Sequence, residues 1–318
     1  MTRPSVWRAL AGAVVAAGFI GAAATLQAVR EVRYPEPPAT KESLYLTSGT
    51  TLRRLSIGYS MLAADLYWIR AIQYYGGTRI RLDRPSDGRA RIASAAEHDF
   101  ELLYPLLDLT TTLDPRFNIA YRFGAIFLAE APPGGAGRPD LAITLLEKGL
   151  RERPDKWEYM QDIGFVHYWW RHDYREAAKW FDKGGQVPNA PWFLRSLAAV
   201  TLAEGGDRKS SRTLWMAIRQ SAAENDWLKN EADRRLQQLD AMDLIEAVQR
   251  AVDAAQPRTG KLTKWPDLIR AGVISSVPVD PAGKPLGITD EAEVHLAAMS
   301  PLNPLPLEPQ SDPRSHQR

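Results

Sequence analysis

The stretch Asp173-Tyr174-Arg175-Glu176-Ala177-Ala178-Lys179-Trp180-Phe181-Asp182-Lys183-Gly184-Gly185-Gln186-Val187-Pro188 decides the fold. Ala177, Phe181 and Gly184 recur four and three apart, the spacing that places side chains on one helical face, and Pro188 stops the helix before the next begins. The same order stands earlier as Ala142, Leu146, Gly149 and Pro154. Small residues at that spacing let a neighbouring helix come close. Each of these helices follows another apolar segment with its own glycine, Gly124 in Phe123-Gly124 and Gly164 in Ile163-Gly164. The unit is a helical hairpin, and it repeats.

Pro154 and Pro188 lie one repeat apart, at a period of about 34 residues. On these residues the chain resembles the tetratricopeptide-repeat family over roughly residues 115–220. The second copy, from Trp157 through Phe181, is the most complete, and the first inserts Pro132-Pro133-Gly134-Gly135-Ala136-Gly137 between its helices. A third copy starts near Trp192, with Leu197-Ala198, Gly205, Ser210, Leu214 and Ala217 at the corresponding places. The resemblance implies an all-α fold, a right-handed solenoid of helical hairpins whose first helices line a concave groove for a peptide or helix. Taking Gly124, Gly164 and Ala198 as equivalent turns Asn118 and Glu158 toward that groove. It also yields a partner-binding set of Tyr121, Gln161, Phe165, Tyr168, Trp169, Trp192 and Arg195. Aromatic side chains with an interspersed arginine are what binding hot spots favour. The competing reading has Phe165, Tyr168 and Trp169 filling the space between hairpins.

A chain of 318 residues, 45% hydrophobic and 25% charged, holds enough apolar material for one extended or two compact domains. The formal net charge of +2 gives no global field of the kind that marks a nucleic-acid binder. Cysteine is absent, which removes disulfides, thiolate metal sites and cysteine nucleophiles together.

Residues 1–33 differ in kind from the rest. Arg3 and Arg8 precede an uncharged run from Ala9 to Val29 that ends at Arg30-Glu31-Val32-Arg33. As a helix this run is long enough to span a bilayer, and the basic residues before it hold the N-terminus on the cytoplasmic side. The expectation is a single-pass inner-membrane anchor at residues 9–29 with the bulk of the chain in the periplasm. The alternative is a cleaved secretory signal, with Ala22-Ala23-Ala24 or Gln27-Ala28 as the cut.

Residues 34–51, with Pro35, Pro37 and Pro38, read as a stiff linker. Leu52 to Tyr75 reads as a helix ended by Gly76-Gly77, with Asp65 and Arg70 as structural polar residues on an apolar stretch. Arg79 to Arg91 reads as a basic loop able to touch anionic headgroups if it lies near the anchor. Ser94 to Leu113 reads as the next helix, with Pro105 kinking it or setting its first turn. Residues 52–225 then make the solenoid, opened by an atypical capping hairpin.

Residues 226–256 read as one long helix, and residues 257–299 as a small α+β module. Trp265-Pro266-Asp267-Leu268-Ile269-Arg270 and then Pro278-Val279-Asp280-Pro281-Ala282-Gly283-Lys284-Pro285 resemble the region after the long helix in pseudopilins of type II secretion and type IV pilus systems. The hydrophobic N-terminal helix of that family is not contiguous here, and its processing glutamate is missing, so the region reads as a grafted small module and not as evidence of a pilus subunit. Residues 300–318, rich in proline, read as a disordered tail.

Catalytic chemistry finds little purchase. His167 and His172 are five apart and point in different directions on a helix, unlike the i, i+4 pair of a zinc helix. Glu97-His98-Asp99 are consecutive and do not face one another. No phosphate loop or nucleophile elbow is present, so no enzyme, cofactor or metal is expected. The function expected is a scaffold for protein partners in an envelope assembly for secretion or transport. The alternative is a soluble exported binder of carbohydrate or lipid using the aromatic groove.

Overall fold

The computed structural model describes residues 6–33, 44, 48–83, 99–222 and 225–308, with the backbone alone for residues 6–14, 28, 31, 32 and 83. The chain divides into two compact units, residues 1–45 and 46–318. The first is the helix α1 (Val6–Arg33). Its described large apolar residues, Val15, Phe19, Ile20, Leu26 and Val29, are all more than half exposed. Among the described residues no helix is long and apolar enough to cross a membrane. The expected span at residues 9–29 is thus not found there, and its first part, residues 9–14, has no described side chains.

The second unit is predominantly helical. It begins with α2 (Gly49–Leu55), α3 (Ser60–Asp83), α4 (Leu103–Leu113), α5 (Asn118–Ala129), α6 (Pro139–Glu152) and α7 (Trp157–Trp169). It continues with α8 (Tyr174–Gly185), α9 (Phe193–Glu204), α10 (Arg208–Ser221), α11 (Asp226–Thr259) and α12 (Trp265–Arg270). From α3 to α11 each helix packs against the next in sequence, and α4 also touches α6 as α5 touches α7. The helix starts follow local chemistry: the side chains of Asp173, Asp207 and Asn225 accept from the backbone N–H three residues on, capping α8, α10 and α11.

Close approach at the glycines is what the small-residue rhythm demands. A β-carbon on Gly164 would strike the Phe181 ring of α8, and one on Gly149 of α6 would lie 2.8 Å from the Tyr159 ring of α7. Polar ties supplement these contacts. Lys148 Nζ on α6 donates to Asp108 Oδ1 at 2.7 Å and to the Thr111 and Thr112 hydroxyls, placing a cation at the C-terminal end of α4. Burial pulls the lysine pKa down while Asp108 holds it up. The Pro132–Gly137 insertion folds back over the end of α5, where Ala136 N–H donates to Phe127 O and Arg138 N–H to Leu128 O.

Several boundaries differ from those the sequence suggests. The chain breaks at Ser56–Tyr59, where Ile57 and Gly58 take positive φ, and not at Gly76-Gly77. α3 runs through that pair because its next turns are held: Tyr74 Oη donates to Asp99 O at 2.8 Å, Tyr75 Oη to Gly134 O at 2.6 Å, and Thr78 is buried. The expected basic loop therefore begins inside α3, and its remainder, residues 84–91, lies outside the described residues. The described part of the next helix starts at Leu103, which puts Pro105 in its first turn, where the missing N–H is harmless. α11 continues past Pro257 to Thr259.

The C-terminal module packs on α11 through Leu268, Leu286, Val294, Leu296 and Leu302. β1 (Gly287–Ile288) pairs antiparallel with β2 (Val294–His295). The Pro278–Pro285 motif closes on itself: Asp280 N–H donates to Lys284 O at 2.7 Å, and the Asp280 carboxylate accepts from Lys284 N at 2.8 Å. Its other oxygen accepts from Ser300 Oγ at 2.6 Å. The expectation of a disordered tail fails over residues 300–308. Leu302 is buried, the fully buried Gln238 donates from Nε2 to Leu302 O and Pro304 O at 2.7 Å each, and Arg208 pairs with Glu308. Residues 309–318 lie outside the described residues.

Candidate functional site

The seven residues expected to form a groove fall into separate environments. Tyr121 is fully buried, its ring centroid 5.2 Å from that of Tyr159, and burial pushes its hydroxyl pKa far up. It is core, not groove. The cause is Gly149, whose bare α-carbon leaves the space that Tyr121 and Tyr159 fill. Arg195 turns the other way, onto the end of α8, where its Nε lies 3.3 Å from Asp182 Oδ1.

Tyr168 and Trp169 meet edge to face at 4.9 Å near the end of α7. Tyr168 Oη donates to Glu204 Oε2 at 2.7 Å, and burial together with that carboxylate pushes its pKa up to about 12. This bond brings the C-terminal ends of α7 and α9 together. Trp192 therefore sits at the opposite end of α9, about 18 Å from Glu204 along the helix. There it packs edge-on against Trp227 at 5.1 Å, with both rings more than half exposed. Phe165 is half-buried against Phe181, and Gln161 is half-buried on α7. The structure thus joins Tyr168 with Trp169 and leaves Trp192, Tyr121 and Arg195 apart from them.

A different set comes together on α5 and α7. Arg122 bridges the two helices with a bidentate pair to Asp162, Nε to Oδ2 at 2.6 Å and Nη2 to Oδ1 at 3.0 Å. Burial pushes the Asp162 carboxyl above the usual carboxylate range, against the pull of Arg122, and the hydrogen bond holds the guanidinium above its own usual value. Ile119, Phe123 and Ile126 recur four and three apart beside Arg122, each about half exposed. Trp169 is 59% exposed one turn-pair beyond Asp162 on α7. Among the described residues Asn118 Oδ1 on α5 and Ser196 Oγ on α9 are buried without a hydrogen-bond partner.

No family model, curated protein or solved structure matches the chain. The face on α5 and α7 is then read from its own chemistry. Arg122, Asp162 and Ser196 each stand two residues before Gly124, Gly164 and Ala198, so equivalent positions present polar groups in register. That offset, and the apolar spacing at residues 119, 123 and 126, were the signals in the sequence that could have found it. Among the described residues no group of histidine and carboxylate side chains is arranged to hold a metal. Two further clefts have self-satisfied polar linings: in one of about 590 Å³ between α8 and α10 Arg175 pairs with Asp207, which caps α10, and in one of about 930 Å³ Arg208 pairs with Asp243, Glu246 and Glu308.

Proposed function

We propose that this chain is a non-catalytic, membrane-anchored adaptor, a tetratricopeptide-like right-handed solenoid that holds a protein partner against α5 and α7. One observation carries the reading: exposed Phe123, Ile126 and Trp169 flank the ion pair that bridges α5 and α7. Apolar anchors around oriented polar groups are the composition of a protein-binding hot spot. Local packing of each helix on the next supports the solenoid reading. The anchor reading is supported by the length of α1, 28 residues or about 42 Å.

Photo-crosslinking from position 169 in membranes, followed by solubilisation and pull-down, tests the adaptor. Phe123→Asp is expected to abolish recovery of the crosslinked partner, and Arg195→Ala, on the far side, to leave it unchanged. Equal recovery with Phe123→Asp and the parent chain sinks the assignment. The exposed Trp192–Trp227 pair favours a second reading, an exported binder of carbohydrate or lipid. Quenching of tryptophan fluorescence by added oligosaccharide, lost in Trp227→Ala, would select it.

A further inference from the structure

α3 is apolar on two opposite sides. Ala64, Ala71 and Thr78, seven residues apart, are buried on the side that packs on α4. Half a turn away Leu62, Leu66 and Ile69 stand 57%, 60% and 49% exposed, where a surface helix of a globular domain carries charge. The turn and helix before it extend the stripe with Leu55 at 62% and Tyr59 at 72%. Its charge is one-sided. Residues 49–83 hold five arginines against two aspartates and neither lysine nor glutamate. Arg53 and Arg54 are exposed at the end of α2, and Arg79, its guanidinium over the Tyr75 ring, is exposed toward the end of α3, where Arg81 pairs with Asp99, so basic side chains bracket the stripe at both ends.

We infer that this face rests on the surface of an anionic lipid bilayer. Aliphatic side chains along the middle, an exposed tyrosine and guanidinium groups at the two ends complement acyl chains, the headgroup boundary and lipid phosphates. Leu62, Leu66 and Ile69 lie along one side of a single long helix, a shape that meets a plane rather than filling a groove. In sequence it follows the apolar run at residues 9–29, and the inference rests on the anchor reading only for bringing the chain to a bilayer. A second copy or a partner protein is the competing occupant, and the measurement separates them.

The chain contains no cysteine, so single cysteines can be labelled without background. Full-length Leu66→Cys, Phe19→Cys and Lys209→Cys, each carrying a nitrobenzoxadiazole fluorophore, are reconstituted in vesicles of phosphatidylcholine with or without phosphatidylglycerol. The Leu66→Cys label is expected to shift to the blue and to be quenched by doxyl-labelled lipid in the anionic vesicles. The Lys209→Cys label stays open to aqueous iodide. Arg53→Gln with Arg54→Gln is expected to lower the ratio of docked to undocked label about fivefold or more.

A Leu66→Cys label open to iodide in anionic vesicles overturns the inference. So does one shielded from iodide yet untouched by doxyl lipid in either vesicle, since protein then covers the face. Leu62→Cys repeats the measurement one turn away. Quenching at Phe19→Cys alone keeps the anchor and overturns the face, and quenching at Leu66→Cys alone keeps the face and overturns the anchor. Quenching at neither position overturns both.

Discussion

Gly164 of α7 lies with its α-carbon directly against the ring of Phe181 of α8, with room for nothing larger than hydrogen between them. Phe181 is fully buried among Ala177, Ala178, Leu194 and Ala198, so it has no free direction in which to yield. Gly164→Ala is therefore expected to destabilise the fold by about 1–3 kcal/mol, the usual cost of overpacking. Urea unfolding should show a lower midpoint at an unchanged slope. Gly77→Ala should do the reverse. Gly77 is helical and exposed, with no atom within 4 Å of an added β-carbon, so alanine gains about 0.5–1 kcal/mol from a stiffer unfolded chain.

Arg122 and Asp162 should be strongly coupled. Arg122→Leu leaves a carboxylate whose pKa burial already raises, and the expected loss is about 1–3 kcal/mol. Because the native carboxyl then holds its proton more tightly than the unfolded one, the deficit is greatest near neutrality and shrinks as pH falls through the carboxylate range. Adding Asp162→Leu should recover much of the loss and abolish this pH dependence. A double-mutant cycle by urea unfolding at two pH values reads both effects.

His167 gives a second pH dependence of opposite sign. It is 7% exposed, and burial first, then Arg171, lowers its pKa below the ordinary 6.5; Asp173, Glu176 and Glu147 oppose the shift. The fold holds the imidazole neutral, so its contribution is complete above about pH 6.5 and is lost as the unfolded chain takes up a proton below it. The difference in stability between His167→Leu and the parent chain should therefore narrow on going from about pH 7.5 to about pH 5. An unchanged difference would place the imidazole outside the titrating set.

The tail over residues 300–308 should loosen when Gln238 is replaced. Gln238→Leu removes both donors to Leu302 O and Pro304 O and leaves those carbonyls unpaired against α11, an expected loss of about 1–3 kcal/mol. Limited proteolysis should cut between Ser300 and Glu308 faster than in the parent chain, before any cut within α7 or α8.

The helices α6, α7 and α8 were legible in the sequence because close helix contact leaves so few options: Gly149 and Gly164 are forced by the rings they meet, and Pro154 and Pro188 stop what precedes them. Gly76-Gly77 and Pro257 misled because local preference there is outweighed by distant partners, the carbonyls of Asp99 and Gly134 in the first case. The tail misled for the same reason, since nothing near Leu302 announces Gln238, more than sixty residues earlier. Of the residues expected to line a groove, Tyr121 turned inward to fill the space beside Gly149, and the exposed positions of its helix are 119, 123 and 126.

Gln238 also fixes what the docking of residues 300–308 exchanges. Its side-chain amide, on α11, donates to the carbonyls of residues 302 and 304, and a chain without those residues would leave that amide to water, while Arg208 would still hold Asp243 and Glu246. Hydrogen bonds to water are then traded for hydrogen bonds to carbonyls, a nearly even exchange. The net gain falls to the apolar surface that Leu302 buries, and the amide serves chiefly to fix the register in which that surface arrives.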